Sequence, residues 1–160
     1  AGTENVPGIV GAAAAFEEAC AHMEENAQKM TALRDRLIRG LTAIPHTVLN
    51  GDAERRLPGN VNVCFEGIEG ESLLLMLDAK GIAASGSACP SGSLDPSHVL
   101  LALGRPHEVA HGSLRLSLSH YNTDADVDHI LSVVPGVVEY LRNMSPVWDE
   151  LERGERPHLI

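Results

Sequence analysis

Residues 60–66, with the sequence NVNVCFE, decide what kind of fold this chain can adopt. Apolar side chains alternate with polar or small ones, and Val61, Val63 and Phe65 share one face. A period of two indicates a β-strand with one buried face. Cys64 belongs to the opposite face, and we expect it to have a structural rather than a reactive role.

A long helical pattern precedes this strand. Apolar residues recur at intervals of three or four from Ile9 to Leu41, which predicts one long or kinked helix, or two in succession, over residues 8–43. Cys20 lies on this apolar stripe, so we expect its thiol to be packed in the core. The chain has no initiator Met and enters the helical pattern almost at once, so we expect it to begin inside a longer protein.

Shorter elements follow the strand. The pattern predicts a helix over 69–80, a brief strand over 82–84, a helix over 96–104 and a second alternating strand over 113–119. Thr123 and Asp126 form a capping-box pair for a helix that ends near Asn143. Ser145 starts a last short helix, and we expect a frayed tail after Gly154.

Composition limits the classes of protein that the chain can represent. The 160 residues include 44% apolar residues but only 3% aromatic ones, which is enough for one aliphatic core. A net charge of −10 argues against nucleic acid as a partner, and no apolar run is long enough to span a membrane. Three cysteines at unrelated spacings indicate neither a disulfide framework nor a zinc pattern, and they favour a reducing cytoplasm.

These observations predict a single α/β (α+β) domain. Residues 1–44 form a linking long helix, residues 45–154 an α/β body and residues 155–160 a tail. The body has a small mixed or antiparallel sheet with helices on one side. His107 and His111 match the pattern H-E-x-x-H, but neighbouring Gly and Pro residues leave room for only a turn or two of helix, so we predict no metal site.

Two residues stand out as candidates for function. Cys89 lies in SGSACPSGS, residues 85–93, a stretch that cannot form a core. A reactive thiol is favoured there over an idle surface cysteine, because exposed idle thiols are oxidation liabilities. Arg115 lies between leucines within a strand, and its planar guanidinium suits a carboxylate. A surface charge on an exposed strand face is the alternative.

Several stretches in order resemble the pyridoxal-phosphate-dependent cysteine desulfurases of the nitrogen-fixation and iron–sulfur assembly type. The matching stretches are 2–11 GTENVPGIVG, 57–63 LPGNVNV, 69–74 EGESLL, 85–89 SGSAC, 94–100 LDPSHVL, 110–115 AHGSLR and 145–148 SPVW. The resemblance covers nearly all of the chain. It implies the small C-terminal domain of a fold-type I pyridoxal-phosphate enzyme that converts L-cysteine to L-alanine.

The resemblance also implies roles for individual residues. Cys89 would take the substrate sulfur as a persulfide, Arg115 would bind the substrate carboxylate, and Thr3 would reach the cofactor phosphate in the opposite subunit of a homodimer. An iron–sulfur scaffold or another acceptor protein would then receive the sulfur. Pro90 departs from the Ser or Thr expected after the nucleophile, and it restricts Cys89 to extended conformations.

The lysine that carries the cofactor in this family belongs to a preceding domain. The chain has only two lysines, Lys29 and Lys80, and neither has the sequence surroundings of a Schiff-base lysine. We therefore expect the chain alone to be inactive. Two alternatives stay open: a non-catalytic sulfur carrier or dimerisation module, and a small zinc hydrolase that uses His107 and His111.

Overall fold

A three-stranded antiparallel sheet is the centre of the body, in a computed structural model that describes residues 2–86 and 95–160. The strands are β1 (Thr47–Leu49), β2 (Asn60–Phe65) and β3 (Ser113–Ser117), and β2 lies in the middle. The helices are α1 (Val6–Ala21), α2 (Met23–Thr42), α3 (Gly70–Asp78), α4 (His98–Ala102), α5 (His107–His111), α6 (Asp124–Asn143) and α7 (Pro146–Glu152). No helix in the two described ranges has both the length and the apolarity needed to cross a bilayer.

The alternation along β2 places the main core as predicted. Val61, Val63 and Phe65 are fully buried, and Val61 pairs with Leu116 of β3. Helices α2 and α3 pack on this face of the sheet, α6 packs on these two helices, and all three contribute leucines or valines to a single cluster. The fully buried aliphatic residues that these helices provide are Leu37, Leu41, Leu73, Leu77, Val127, Val134 and Val138.

A second, smaller cluster lies on the other face of the sheet. Cys64 is fully buried there against Leu100 of α4 and against Val109 and Ala110 of α5. The three longer core helices therefore share one face of the sheet, and the two short helices α4 and α5 close part of the other. The predicted structural role of Cys64 agrees with this packing.

The leading helical pattern forms two helices in succession, separated only by His22. The prediction that Cys20 is a core thiol is wrong, because Cys20 is exposed and α1 has no buried residue. Helix α2 does bury an apolar row, with Leu33, Leu37 and Leu41 in the core. An apolar stripe is buried only where another surface covers it, and no described element covers α1.

The boundaries of other elements confirm some predictions and correct others. The capping box of Thr123 and Asp126 is present, and Ser145 caps α7. The strand predicted over 82–84 is wrong: a single isolated bridge joins Ser85 to β3 instead. The tail is not frayed at its end, because His158 and the backbone nitrogen of Leu159 both bond to the buried Glu66.

Candidate functional site

Arg115 lies in β3 between two partners. On one side it pairs in register with Asn62 of β2, and on the other it forms an isolated antiparallel bridge with Ser85. The backbone nitrogen of Arg115 donates to the carbonyl of Ser85 at 2.6 Å, and the backbone nitrogen of Ser85 donates to the carbonyl of Arg115 at 3.1 Å. The backbone of the two residues is therefore fixed side by side.

The side chains of this pair also bond. Arg115 Nη2 donates to Ser85 Oγ at 2.9 Å, and Arg115 is half-buried. A guanidinium has five N–H donors, and no carboxylate within the described ranges pairs with Arg115 at salt-bridge distance. A neutral hydroxyl thus orients the guanidinium, and no ion pair with a carboxylate of the described residues accompanies this bond.

Gly86 continues the chain from this pair toward the predicted nucleophile. A Cβ at Gly86 would lie 3.4 Å from the hydroxyl of the buried Ser113, so the backbone runs close along the start of β3. Cys89 and Pro90 lie outside the described residues. Cys89 is four positions after Ser85 in the sequence, and an extended chain over four positions spans at most about 14 Å between Cα atoms.

A network of polar side chains includes Asn62, the residue of β2 that pairs with Arg115. Asn50 Nδ2 donates to Asn62 Oδ1 at 2.7 Å and to Cys64 Sγ at 3.1 Å, and Arg105 Nε donates to Asn50 Oδ1 at 2.8 Å. Burial raises the pKa of the Cys64 thiol, an effect that the Asn50 hydrogen bond and the charge of Arg105 only partly oppose. Cys64 is therefore held as a protonated, unreactive thiol.

The sequence analysis did not identify Asn50 or Arg105 as partners of this strand. The two residues are 55 positions apart, and no local spacing rule joins them. Arg105 Nη2 also donates to the carbonyl of Leu49 at 2.7 Å, which anchors β1 at the edge of the sheet. The network therefore holds the side chains of Asn62, which pairs with Arg115, and of Cys64 in place on β2.

Thr3 lies apart from this arrangement in the described contacts. It is exposed in the short segment before α1, where Asn5 Oδ1 accepts from the Gly8 nitrogen at 3.1 Å and caps the helix. The structure brings Arg115 next to the start of the Cys89 segment, but no described contact joins Thr3 to Arg115.

Neither lysine of the chain fits a covalent attachment point for pyridoxal phosphate. Lys29 is exposed, and its Nζ donates to the carbonyl of His120 at 2.6 Å. Lys80 is exposed directly after α3. A Schiff-base lysine needs a pocket that shields the imine and orients the cofactor ring, and the described residues place neither lysine in one.

The H-E-x-x-H pattern occupies a helix of only five residues, α5, as the neighbouring Gly and Pro residues predicted. The His107 and His111 rings contact each other edge to face, with centroids 4.7 Å apart, and His111 Nδ1 lies 3.8 Å from a carboxylate oxygen of Glu69. Within the described ranges, the residues grouped closely enough to hold a metal ion are instead His46, Glu66 and His158.

Comparison with known proteins gives concordant results from sequence. Residues 1–130 match the aminotransferase class-V family. The cysteine desulfurase IscS of Methanosarcina thermophila is 64% identical over 148 residues, which cover 92% of this chain and 37% of that protein. The cysteine desulfurase NifS of Azotobacter vinelandii is 49% identical over 150 residues, with the same coverage of 92% and 37%. The chain thus spans well under half the length of these relatives.

Solved structures agree with the sequence matches. A NifS-like protein superimposes with a TM-score of 0.76 at 36% identity, over 88% of this chain and 35% of its own. The NifS-like protein of Rickettsia africae superimposes with a TM-score of 0.75 at 29% identity, over 87% of this chain and 36% of its own. The α/β arrangement of helices around a small antiparallel sheet is therefore shared with longer proteins.

Proposed function

The chain belongs to the aminotransferase class-V family, and on that premise we propose that it is the C-terminal, nucleophile-bearing domain of a cysteine desulfurase that uses pyridoxal phosphate. Within this domain, residues 1–44 are the linking helical part, 45–154 the body and 155–160 the tail. The names of the matched relatives and the share of their length that the chain covers support this proposal.

The bond between Arg115 and Ser85 is the observation that carries the proposal. This bond holds the guanidinium of Arg115 next to Ser85, the residue four positions before Cys89. No carboxylate among the described residues forms an ion pair with Arg115. An arginine in this position can bind the α-carboxylate of L-cysteine through two parallel hydrogen bonds. Cys89 is four positions after Ser85 in the sequence, so an extended chain between their Cα atoms spans at most about 14 Å.

The proposed reaction transfers one sulfur atom. The Cys89 thiolate attacks the sulfur of bound L-cysteine, a sulfur–sulfur bond forms, and the bond between that sulfur and the substrate β-carbon breaks. The electron pair of the broken bond goes to the β-carbon, which is protonated, and L-alanine leaves. Pyridoxal phosphate, held by the part of the enzyme outside this chain, supplies the electron sink. Arg115 keeps the substrate oriented during this step.

The remaining parts of the proposal concern the complete enzyme. Thr3 is exposed and can contact the cofactor phosphate in the opposite subunit of a homodimer. The persulfide on Cys89 passes to an iron–sulfur scaffold or another acceptor protein. We place the enzyme in the cytoplasm, because Cys20 and Cys64 are free thiols and a reducing compartment keeps thiols free.

The test compares the 160-residue chain with the full-length enzyme that contains it. Each is mixed with pyridoxal phosphate, L-cysteine and a reductant, and alanine is measured. We expect catalytic alanine from the full-length enzyme only. Cys89→Ala should abolish it, and Arg115→Ala should lower kcat/KM by roughly 10-fold to 100-fold, the loss expected for a charged hydrogen bond.

A matched control separates these roles from general damage. Arg55→Ala removes an arginine of the body whose side chain is 88% exposed, so this variant should retain full activity. Catalytic alanine from the isolated chain would show that a lysine within it anchors the cofactor. A full-length enzyme that makes no alanine but accepts persulfide sulfur on Cys89 would favour the non-catalytic carrier.

A further inference from the structure

Two histidines and a glutamate meet where β2 ends. Glu66 follows β2 directly, His46 precedes β1, and His158 comes from the tail. His158 Nδ1 lies 2.8 Å from Glu66 Oε2, and His46 Nδ1 lies 3.4 Å from the same oxygen. The two imidazole rings stack with centroids 3.8 Å apart. None of these residues belongs to the arrangement around Arg115 and Ser85.

The carboxylate of Glu66 is buried, which is unusual for an acidic side chain. Its side chain is only 4% exposed, and a buried carboxylate is costly unless it is paired. The backbone nitrogen of Leu159 donates to Oε1 at 2.6 Å, so one oxygen is satisfied by the tail and the other faces the two imidazoles. The histidine side chains are 31% and 34% exposed, which leaves an approach from solvent.

The backbone around the cluster is fixed by other contacts. Glu66 N and Arg142 Nη2 both donate to the carbonyl of His46, at 3.0 and 2.9 Å, and Arg142 Nε donates to the carbonyl of Glu66 at 3.0 Å. His46 has a φ of +51°, in the left-handed region. This conformation costs a residue other than glycine about 1 kcal/mol or more, and such strain concentrates at ligand sites.

We propose that His46, Glu66 and His158 bind a divalent transition-metal ion, Zn²⁺ in the first place, which fastens the tail to the sheet. Two imidazole nitrogens and one carboxylate oxygen are a ligand set that Zn²⁺ accepts, whereas Mg²⁺ and Ca²⁺ prefer oxygen ligands alone. The three ligand atoms all lie within 4.8 Å of one another.

The distances suit a tetrahedral ion. Zinc bonds of about 2.0–2.2 Å place neighbouring tetrahedral ligands about 3.4 Å apart, and His46 Nδ1 and Glu66 Oε2 are separated by 3.4 Å. The carbonyl oxygen of Ile160 lies 3.1 Å from His46 Nδ1 and can provide a fourth ligand. His158 Nδ1 and Glu66 Oε2 are 2.8 Å apart, which is shorter than this spacing, so the partly exposed His158 ring has to move away by roughly 0.6 Å to admit the ion.

The test measures zinc binding by the full-length protein, using equilibrium dialysis against Zn²⁺ followed by metal analysis. We expect one ion per chain, and we expect His158→Ala and Glu66→Gln each to weaken binding at least about 10-fold. His22→Ala is the matched control, because His22 is exposed and lies outside the cluster. Mg²⁺ should not compete.

A second readout follows the tail itself. Zn²⁺ should slow cleavage of residues 155–160 by a nonspecific protease in the unaltered protein and should have no effect in His158→Ala. His158 lies in the tail, so this variant decides the question even if Glu66→Gln fails to fold. The proposal is overturned if His158→Ala binds Zn²⁺ as tightly as the unaltered protein. It is also overturned if Zn²⁺ leaves the cleavage rate of the unaltered protein unchanged while His158→Ala raises that rate, because the cluster would then be only an ion pair.

Discussion

Helices α1 and α2 follow one another with a single residue between them, yet only α2 belongs to the core. Leu33, Leu37 and Leu41 of α2 are buried at successive turns, and the helix packs on α6 and on β1 and β2. In α1, Ile9 and Phe16 are 58% and 73% exposed. The comparison teaches that apolar spacing specifies a helix, whereas burial requires a surface that meets it.

The contrast fits the proposal that the chain is part of a longer enzyme. Exposed apolar residues in a row mark a surface that contacts another part of a protein. In the body, by contrast, helices of the same chain cover the face of β2 that carries Val61 and Val63. Substitutions in α1 should therefore change the stability of this chain less than comparable substitutions in the body.

The largest effect is expected from truncating a core side chain of α2. Leu37 is fully buried, so Leu37→Ala should lower the free energy of unfolding by about 2–5 kcal/mol through lost burial and a residual cavity. Phe16→Ala in α1 should change it by less than about 0.5 kcal/mol, because that side chain is exposed. Urea unfolding of the 160-residue chain measures both. An equal loss in Phe16→Ala would mean that α1 packs on the body.

An intermediate effect is expected from adding one methyl group to a glycine. A Cβ at Gly112 would overlap the carbonyl oxygen of Phe65. That oxygen cannot easily move away, because the backbone nitrogen of Phe65 donates a hydrogen bond to the Gly112 carbonyl. Gly112→Ala should therefore cost about 1–3 kcal/mol of unfolding free energy. In α1, Gly11 has no neighbour within 4 Å of such a Cβ, and Gly11→Ala should stabilise the helix by up to about 1 kcal/mol. Thermal unfolding followed by circular dichroism should show shifts of opposite sign, and shifts of the same sign would contradict the prediction.

The smallest effect is a pH dependence that belongs to the buried thiol. Burial raises the pKa of Cys64 in the folded state above the value of about 8.5 in an unfolded chain. The folded state therefore holds the proton more tightly, and this stabilisation is complete below about pH 8.5 and is lost as pH rises through the folded-state pKa. Unfolding free energy should fall as pH rises above about 8.5, and Cys64→Ala should flatten that fall. Cys20→Ala, which removes the exposed thiol of α1, should leave the slope as it is.

Much of the fold and part of the site could be predicted from local patterns. Alternation along β2 and β3, the capping box at Thr123 and the Ser145 cap are short-range features, because a side chain or a hydrogen bond a few residues away produces them. The position of Arg115 between leucines within a strand, together with the family resemblance, indicates a candidate site residue, whereas its contact with Ser85 depends on the fold. The strand β1 has only three residues and depends on pairing with β2, so its own sequence carried too little signal.

Spacing and ordered motifs within the chain are sufficient to predict the class of fold, the longer helices, strands β2 and β3, and the family resemblance. The exposure of Cys20, the support of β2 by Asn50 and Arg105, and the return of the tail to Glu66 follow from the tertiary structure alone. Each of these depends on residues far apart in the chain meeting, or failing to meet, in space. His158 and Glu66 are 92 positions apart, and only the packed backbone brings an imidazole from the tail to a buried carboxylate at the end of a strand.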